Sequence, residues 1–397
     1  MNSGAYWSNE SMVFFIILGL YAIWTVRRVK IVESKSNHAI NLFFNRYLLL
    51  FAIILTVFYT YRLVNEYVGG ADAPNYIFFF KECNNPAYAN NEWFLHNDFL
   101  FRYLTKFLRL FTDDYHFYFI IIGGFNVYVC ILFLLEFCNK KSNYIPCLLL
   151  VFLYWRSMSS IRSNTASAFF LLAIIFLHRK YIKTAIVLAV STYFIHKMSA
   201  LYILFFPFYL FFTNFKMNRS RFVLLLIAVI SLGTFIQTSF LDYVKDIEFG
   251  EHYSTYVLRA VDTSFWDNTW KIAFEQMLLG IFMWINYQKI QNQIKNLDKQ
   301  EADRLRMVWI LCVFDIVTIP VNFILGSWRG YEFLYMARIV MWCEILYLAN
   351  KTQARSFAPV LNTLYLTAFV AWMIFRFYSM WETSNLMPYI FEPLTNM

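Results

Sequence analysis

Polarity along the chain alternates between apolar runs of roughly 11 to 23 residues and short charged segments. A bilayer core about 30 Å thick needs about 20 mostly apolar residues per helix. Backbone facing lipid must also satisfy its hydrogen bonds within its own segment, so these runs predict helices rather than strands. The predicted spans lie near residues 12–26, 43–61, 116–138, 144–154, 163–177, 184–194, 199–215, 222–240, 271–287, 307–327, 331–349 and 359–380. That is an all-α, polytopic integral membrane protein with about twelve transmembrane helices. Between 93 and 111 the period is helical, but Asp98, Arg102, Lys106 and Arg109 form a stripe among Phe, Leu and Trp residues. The pattern predicts an amphipathic helix in the membrane interface, with a half-inserted thirteenth span as the alternative. No internal repeat and no Gly/Ser-rich or Pro-rich linker breaks the series, so the chain reads as a single transmembrane domain over 1–397 with long loops at 62–115 and 241–270.

Charge sets the orientation. Lys and Arg outnumber Asp and Glu by 34 to 25, giving +9, but the basic residues come in short clusters between apolar runs rather than on one stripe. This argues against nucleic acid as a partner. The clusters are Arg27, Arg28, Lys30 and Lys35; Lys140 and Lys141; Arg179, Lys180 and Lys183; Lys216, Arg219 and Arg221; the stretch 289–306; and Lys351 with Arg355. By the positive-inside rule these alternate loops are cytoplasmic, which puts both termini and the two long loops outside. No small-residue cleavage site follows the first run, and its basic residues come after it, so a retained span is predicted there rather than a signal peptide. Five of the six cysteines sit in apolar runs, which excludes a disulfide scaffold.

The sequence has no Gly-rich phosphate loop, HExxH, paired CxxC or DxD, and the adjacent Asp113 and Asp114 splay apart on a helix. A nucleotide-driven pump or a metal-dependent enzyme is therefore not expected. What remains is a set of Arg, His and Asp residues at outer helix ends. Arg156 and Arg162 bracket a short step between two spans, where two guanidinia suit a bidentate grip on phosphate oxygens; snorkelling at the membrane surface is the alternative. Spans five and six form a hairpin through the basic turn 178–183. The rise is about 23 Å from Leu177 back to Arg162 and about 18 Å from Thr184 to His196, so the two reach similar outer depth. His196 is then either a general base or an interfacial belt residue. Arg338 lies about 10 Å inside a span, facing a wet cavity or forming a structural pair with Asp315. Arg329 stands at the mouth of the same hairpin, cationic and otherwise merely solvated. Asp72, in Gly69-Gly70-Ala71-Asp72-Ala73-Pro74-Asn75-Tyr76, either caps the next segment or supplies a carboxylate for a base or for sugar hydroxyls. Loop 241–270 combines acids with Tyr243, Tyr253, Tyr256, Trp266 and Trp270, a composition that suits carbohydrate.

Three segments together resemble a known family. Ser160-Ile161-Arg162 opening an apolar run, the turn His178-Arg179-Lys180-Tyr181-Ile182-Lys183, and Phe194-Ile195-His196-Lys197-Met198-Ser199-Ala200-Leu201 look like the central block of the EpsG-type Wzy polysaccharide polymerases. The Asp72-to-Tyr76 turn is similar to that family's acidic Asp-x-x-x-Tyr segment, and Tyr253-Ser254-Thr255-Tyr256 to its Tyr-Ser-x-Tyr stretch. The chain departs at Ser163, where the family often has Gln. The resemblance implies a glycosyltransferase C-like fold in the bacterial inner membrane and metal-independent, cofactor-free transfer of a growing glycan. The donor would be the growing glycan linked to undecaprenyl diphosphate, which leaves, and the acceptor the nonreducing end of another lipid-linked repeat, on the extracytoplasmic face. It implies His196 and Asp72 as catalytic candidates, Arg156, Arg162, Arg338 and Arg329 toward the diphosphate, and Tyr76, Tyr253 and Tyr256 toward the glycan. Its partners would be the lipid-linked oligosaccharide, membrane lipid and a chain-length regulator protein. A flippase, expected to show repeat symmetry and charges toward both faces, is one rival; an O-antigen ligase, with related chemistry, is another. A purely structural assembly component would not need Arg338 inside the membrane.

The orientation is testable by thiol labelling of intact cells. Cysteines placed at Asn143 and Asn296 should be protected from an impermeant reagent, and ones at Ala87 and Ser254 labelled. Labelling of Asn296→Cys from outside overturns the assignment.

Overall fold

The computed structural model describes residues 17–21, 24–25, 28, 46–65, 69–70, 72–88, 98–138, 160–215, 217–236, 270–321, 333–351, 364, 367 and 371. Among them the structure is helical and contains no strand. The predicted spans at 12–26, 144–154 and 359–380 lie wholly or mostly outside the described residues. Two compact units are formed, one by Met1–Ser199 with Thr352–Met397 and the other by Ala200–Lys351.

In the first unit the main helices are α1 (Arg46–Thr60), α2 (Ala73–Glu82), α3 (Phe99–Arg109), α4 (Tyr115–Phe137), α5 (Ile161–His178) and α6 (Ile182–Ile195). Of these, α4 and α5 are long and apolar enough to cross a membrane; α1 and α6 are apolar but shorter. Asp114 starts α4 by accepting the backbone N–H of His116 at 2.9 Å. Burial pushes this carboxyl upward, but the hydrogen bonds from the backbone and ring of His116 outweigh it and hold its pKa below the usual carboxylate range. Its neighbour Asp113 pairs with Arg109, so the two acids face different partners, but from the link between α3 and α4 rather than on a helix as expected. Helix α1 packs tightly on α4 because Gly123 leaves room for the Tyr59 ring; a Cβ there would lie 2.3 Å from Tyr59 Cδ1. Between α4 and α5 the side-chain nitrogen of Asn126 donates to the buried Thr165 hydroxyl at 3.3 Å, a polar link between two apolar helices.

The α5–α6 turn fixes the hairpin. The N–H of Tyr181 donates to Phe176 O at 2.9 Å and that of Lys180 to Leu177 O at 3.0 Å, a Schellman ending with Lys180 at a φ of 69° where glycine is usual. Beside it, Arg179 grips Glu136 of α4 with both arms of its fork, Nε to Oε1 at 3.1 Å and Nη2 to Oε2 at 2.7 Å. Helix α3 covers the observed part of the predicted 93–111 helix. It buries Phe101, Thr105 and Leu108 and leaves Phe99, Tyr103 and Phe107 exposed, the amphipathic distribution its sequence requires.

The second unit holds α7 (Ala200–Ile203), α8 (Phe205–Asn214), α9 (Arg219–Phe235), α10 (Trp270–Ile285), α11 (Tyr287–Asn296), α12 (Lys299–Val317) and α13 (Tyr335–Lys351). Two expectations are altered here. The predicted run 199–215 is divided at Leu204 because Pro207 has no N–H for the Ile203 carbonyl and its ring would collide with that oxygen. The stretch 289–306, read as a basic loop, is largely helical. Asp298 accepts the N–H of Glu301 at 2.9 Å and so starts α12 well before the apolar run at 307.

A side chain at positive φ costs an L-residue roughly 1–2 kcal/mol. Lys180→Gly should therefore raise the unfolding midpoint of the detergent-solubilised protein, while Lys180→Ala, which removes the charge but keeps the Cβ, should not. An equal rise in both variants would assign the effect to charge instead.

Candidate functional site

The first unit gathers ionisable side chains where α5 begins and α6 ends. Arg162 lies in the first turn of α5, where helix N–H groups lack intrahelical partners. Ser160, the N-cap, makes no side-chain cap bond. The hydroxyl of Tyr76, from α2, instead accepts the Arg162 N–H at 3.4 Å. Tyr76 is itself held edge-on against Phe101 of α3, with ring centroids 5.8 Å apart. His196 ends α6: its N–H donates to Thr192 O at 2.9 Å while its own backbone turns extended, at φ −156° and ψ 108°. That change of direction stops the helix and leaves the imidazole buried rather than out on the side where Tyr193 and Phe194 are exposed.

The residue joining these two is Asp98. Its backbone is extended, φ −63° and ψ 148°, and its carbonyl accepts the N–H of Arg102 at 3.0 Å, as an N-cap should. Its side chain does not cap its own helix. Oδ2 reaches instead to the Lys197 N–H at 3.2 Å, to His196 Nδ1 at 3.5 Å and to Arg162 Nη1 at 3.7 Å. The side chains of Asp98 and His196 are each 5% exposed and that of Arg162 15%, so the three groups meet largely out of water. One carboxylate thus stands between a permanent cation and an imidazole. Such a cluster can hold an anion on the guanidinium and take up a proton on the imidazole, with the carboxylate stabilising the charge that results.

Of the sequence-derived candidates, Arg162, His196 and Tyr76 are brought together. Asp72 occupies the N-cap position of α2 with no side-chain cap bond, and its carbonyl accepts the Tyr76 N–H at 3.3 Å. The carboxylate that reaches His196 belongs to Asp98. Arg156, Arg329, Tyr253 and Tyr256 lie outside the described residues. The sequence reading missed Asp98 as a site residue because it sits on a stripe with Arg102, Lys106 and Arg109 and looks like an ordinary helix cap. Its one distinguishing signal is that it is the sole acid in that stripe.

Arg338 belongs to the second unit, on α13, and is 1% exposed. Its Nε lies 2.8 Å from Asp315 Oδ2 and its Nη1 donates to Glu275 Oε1 at 3.2 Å. The side-chain amide nitrogen of Gln276 donates to the backbone carbonyl and to Oδ1 of Asp315, each at 2.8 Å. One guanidinium held between two carboxylates is engaged inside the protein on two sides, an arrangement that favours the structural pairing over a grip on diphosphate. Six residues along α13, Glu344 accepts from Arg304 of α12 at 2.8 Å, a second buried pair between the same two helices. Removing one partner from such a pair leaves an uncompensated charge and typically costs about 3–5 kcal/mol. Arg338→Ala and Asp315→Asn should therefore both reduce the yield of folded protein in the membrane. A normal yield of Asp315→Asn with lost activity would return Arg338 to the substrate.

Comparison with known families agrees with the motif order. A model of the EpsG family matches residues 45–391, a stretch that includes every helix described above together with Asp98, Arg162 and His196. No curated protein and no solved structure matches the chain. The match covers most of the sequence, and the chain belongs to the EpsG family, membrane proteins of polysaccharide-polymerase type.

Proposed function

We propose that this protein polymerises lipid-linked oligosaccharide repeat units on the extracytoplasmic face of the bacterial inner membrane. It transfers the growing glycan from undecaprenyl diphosphate to the nonreducing end of another undecaprenyl-diphosphate-linked repeat. The observation that carries this reading is the meeting of Arg162 and His196 at one carboxylate, at the end of a helical hairpin opposite its basic turn, which the positive-inside rule assigns to the cytoplasm.

The chemistry follows from the two side chains. As the bond between the anomeric carbon and the phosphate oxygen breaks, its electron pair leaves with the diphosphate, and the guanidinium of Arg162 stabilises the charge that develops there. The acceptor hydroxyl forms the new bond to the anomeric carbon and gives its proton to the His196 imidazole. Arg156 and Arg329 are the further cations assigned to the diphosphate, Tyr253 and Tyr256 the aromatics assigned to the glycan, and Asp72 is the second candidate base. Arg338, already matched by Asp315 and Glu275, is left out of the donor site.

The test is polymerisation of a synthetic undecaprenyl-diphosphate repeat unit by the purified protein. Loss of a general base typically lowers the rate by about 10² to 10⁴-fold. His196→Ala should insert normally, bind undecaprenyl diphosphate and make no polymer, and Arg162→Lys should be nearly as damaging as Arg162→Ala because Lys lacks the planar fork. Long chains from His196→Ala and none from Asp72→Asn would transfer the base role to Asp72.

A further inference from the structure

A carboxylate at a helix N-cap normally accepts N–H groups of its own first turn. Asp98 gives up that role and turns to a residue 99 positions later in the chain, Lys197, whose N–H it accepts at 3.2 Å. The Lys197 bond is the informative one. It fixes the Asp98 oxygen against the backbone next to His196, so that Oδ2 lies 3.5 Å from Nδ1 of the ring, an electrostatic approach longer than a formed hydrogen bond. The same oxygen is steadied from α5 by Arg162 at 3.7 Å. A short helix whose opposite face carries exposed Phe99, Tyr103 and Phe107 thus delivers a buried acid to the site.

We infer that Asp98 is the positioning residue for His196: it holds the proton on Nδ1, leaves Nε2 as the proton-accepting atom, and stabilises the imidazolium that forms when the acceptor hydroxyl is deprotonated. An imidazole nitrogen facing an ionised carboxylate carries the hydrogen, because the alternative sets a lone pair against a negative charge. The opposite nitrogen must then be the base. Asp98 does not touch substrate in this role and acts only through the ring. The inference rests on the proposed base role of His196, and its arms separate the two.

The experiment uses the full-length protein carrying ¹⁵N-histidine, with the His196 signals assigned by difference against His196→Ala. In the native protein at a pH where the ring is neutral, His196 should report the Nδ1–H tautomer. Asp98→Asn should lose that preference and fall in polymerisation rate by about 10² to 10⁴-fold, the range for disabling a general base, while still binding undecaprenyl diphosphate through Arg162. Asp98→Glu, which keeps the carboxylate, should retain the tautomer and recover part of the rate; it serves in place of Asp98→Asn if that variant does not fold. Asp98→Asn in a His196→Ala background should add little further loss if the two residues work as a unit. An unchanged tautomer in Asp98→Asn, or full polymerisation by it, overturns the inference. A tautomer that switches while His196→Ala still builds polymer supports the positioning and removes only the base role.

Discussion

A charged side chain enclosed by apolar helices is tolerated only with an opposite charge or a set of hydrogen bonds beside it, since desolvating a lone ion costs far more than a single contact returns. Much of this chain's order follows from that requirement. Glu136 meets the fork of Arg179 where α4 and α5 end. Arg304 meets Glu344, and Arg338 meets Asp315 and Glu275, so α10, α12 and α13 are fixed together by ions as well as by apolar packing. Arg62 makes the same point through main-chain carbonyls and ring faces. Fully buried, it donates to the carbonyls of Tyr59 and Gly69 and lies over the Tyr59 and Phe119 rings, and Gly69 adopts the positive φ of 89° that brings its carbonyl within reach.

The cluster of Asp98, Arg162 and His196 obeys the same rule with a different balance. In the second unit two carboxylates enclose one guanidinium, whereas here one carboxylate is shared by a guanidinium and an imidazole. The first arrangement encloses its guanidinium from two sides and holds helices together. The second keeps a ring and a cation at 3.5 and 3.7 Å from their common partner, longer contacts than the 2.8 and 3.2 Å around Arg338. Position follows from the hairpin. A turn closed at Lys180 and clamped by Arg179 returns α6 alongside α5, so residues far apart in sequence end at one level.

Much of this was legible in the amino-acid sequence, and the reasons are physical. Apolar runs bounded by charge specify helices, and the observed limits of α4, α5 and α6 fall within about two residues of the runs that predicted them. The basic turn fixes α5 and α6 as a hairpin, and simple helical rise brings Arg162 level with His196. The family could be read from motif order for the same reason, since short segments were enough to carry it. Where local chemistry overrode hydropathy, the reading failed: Pro207 broke a run that looked continuous, and the Asp298 cap extended α12 into a stretch that looked like loop.

Only tertiary structure decided what each charge faces. Hydropathy places Arg338 inside a span but says nothing of Glu275, 63 residues earlier in the chain, and its count of nearby acids could not show that two carboxylates converge on it. Asp98 is the sharper case. Its sequence neighbours make it a helix cap on a cationic stripe, and its backbone does cap, but the direction of its carboxylate depends on where α6 ends and on the N–H of Lys197, which the turn at His196 exposes. Secondary structure is written in local periodicity, so the sequence by itself determined the helices. Ion partnerships depend on long-range packing, so the fold alone determined which carboxylate holds the histidine.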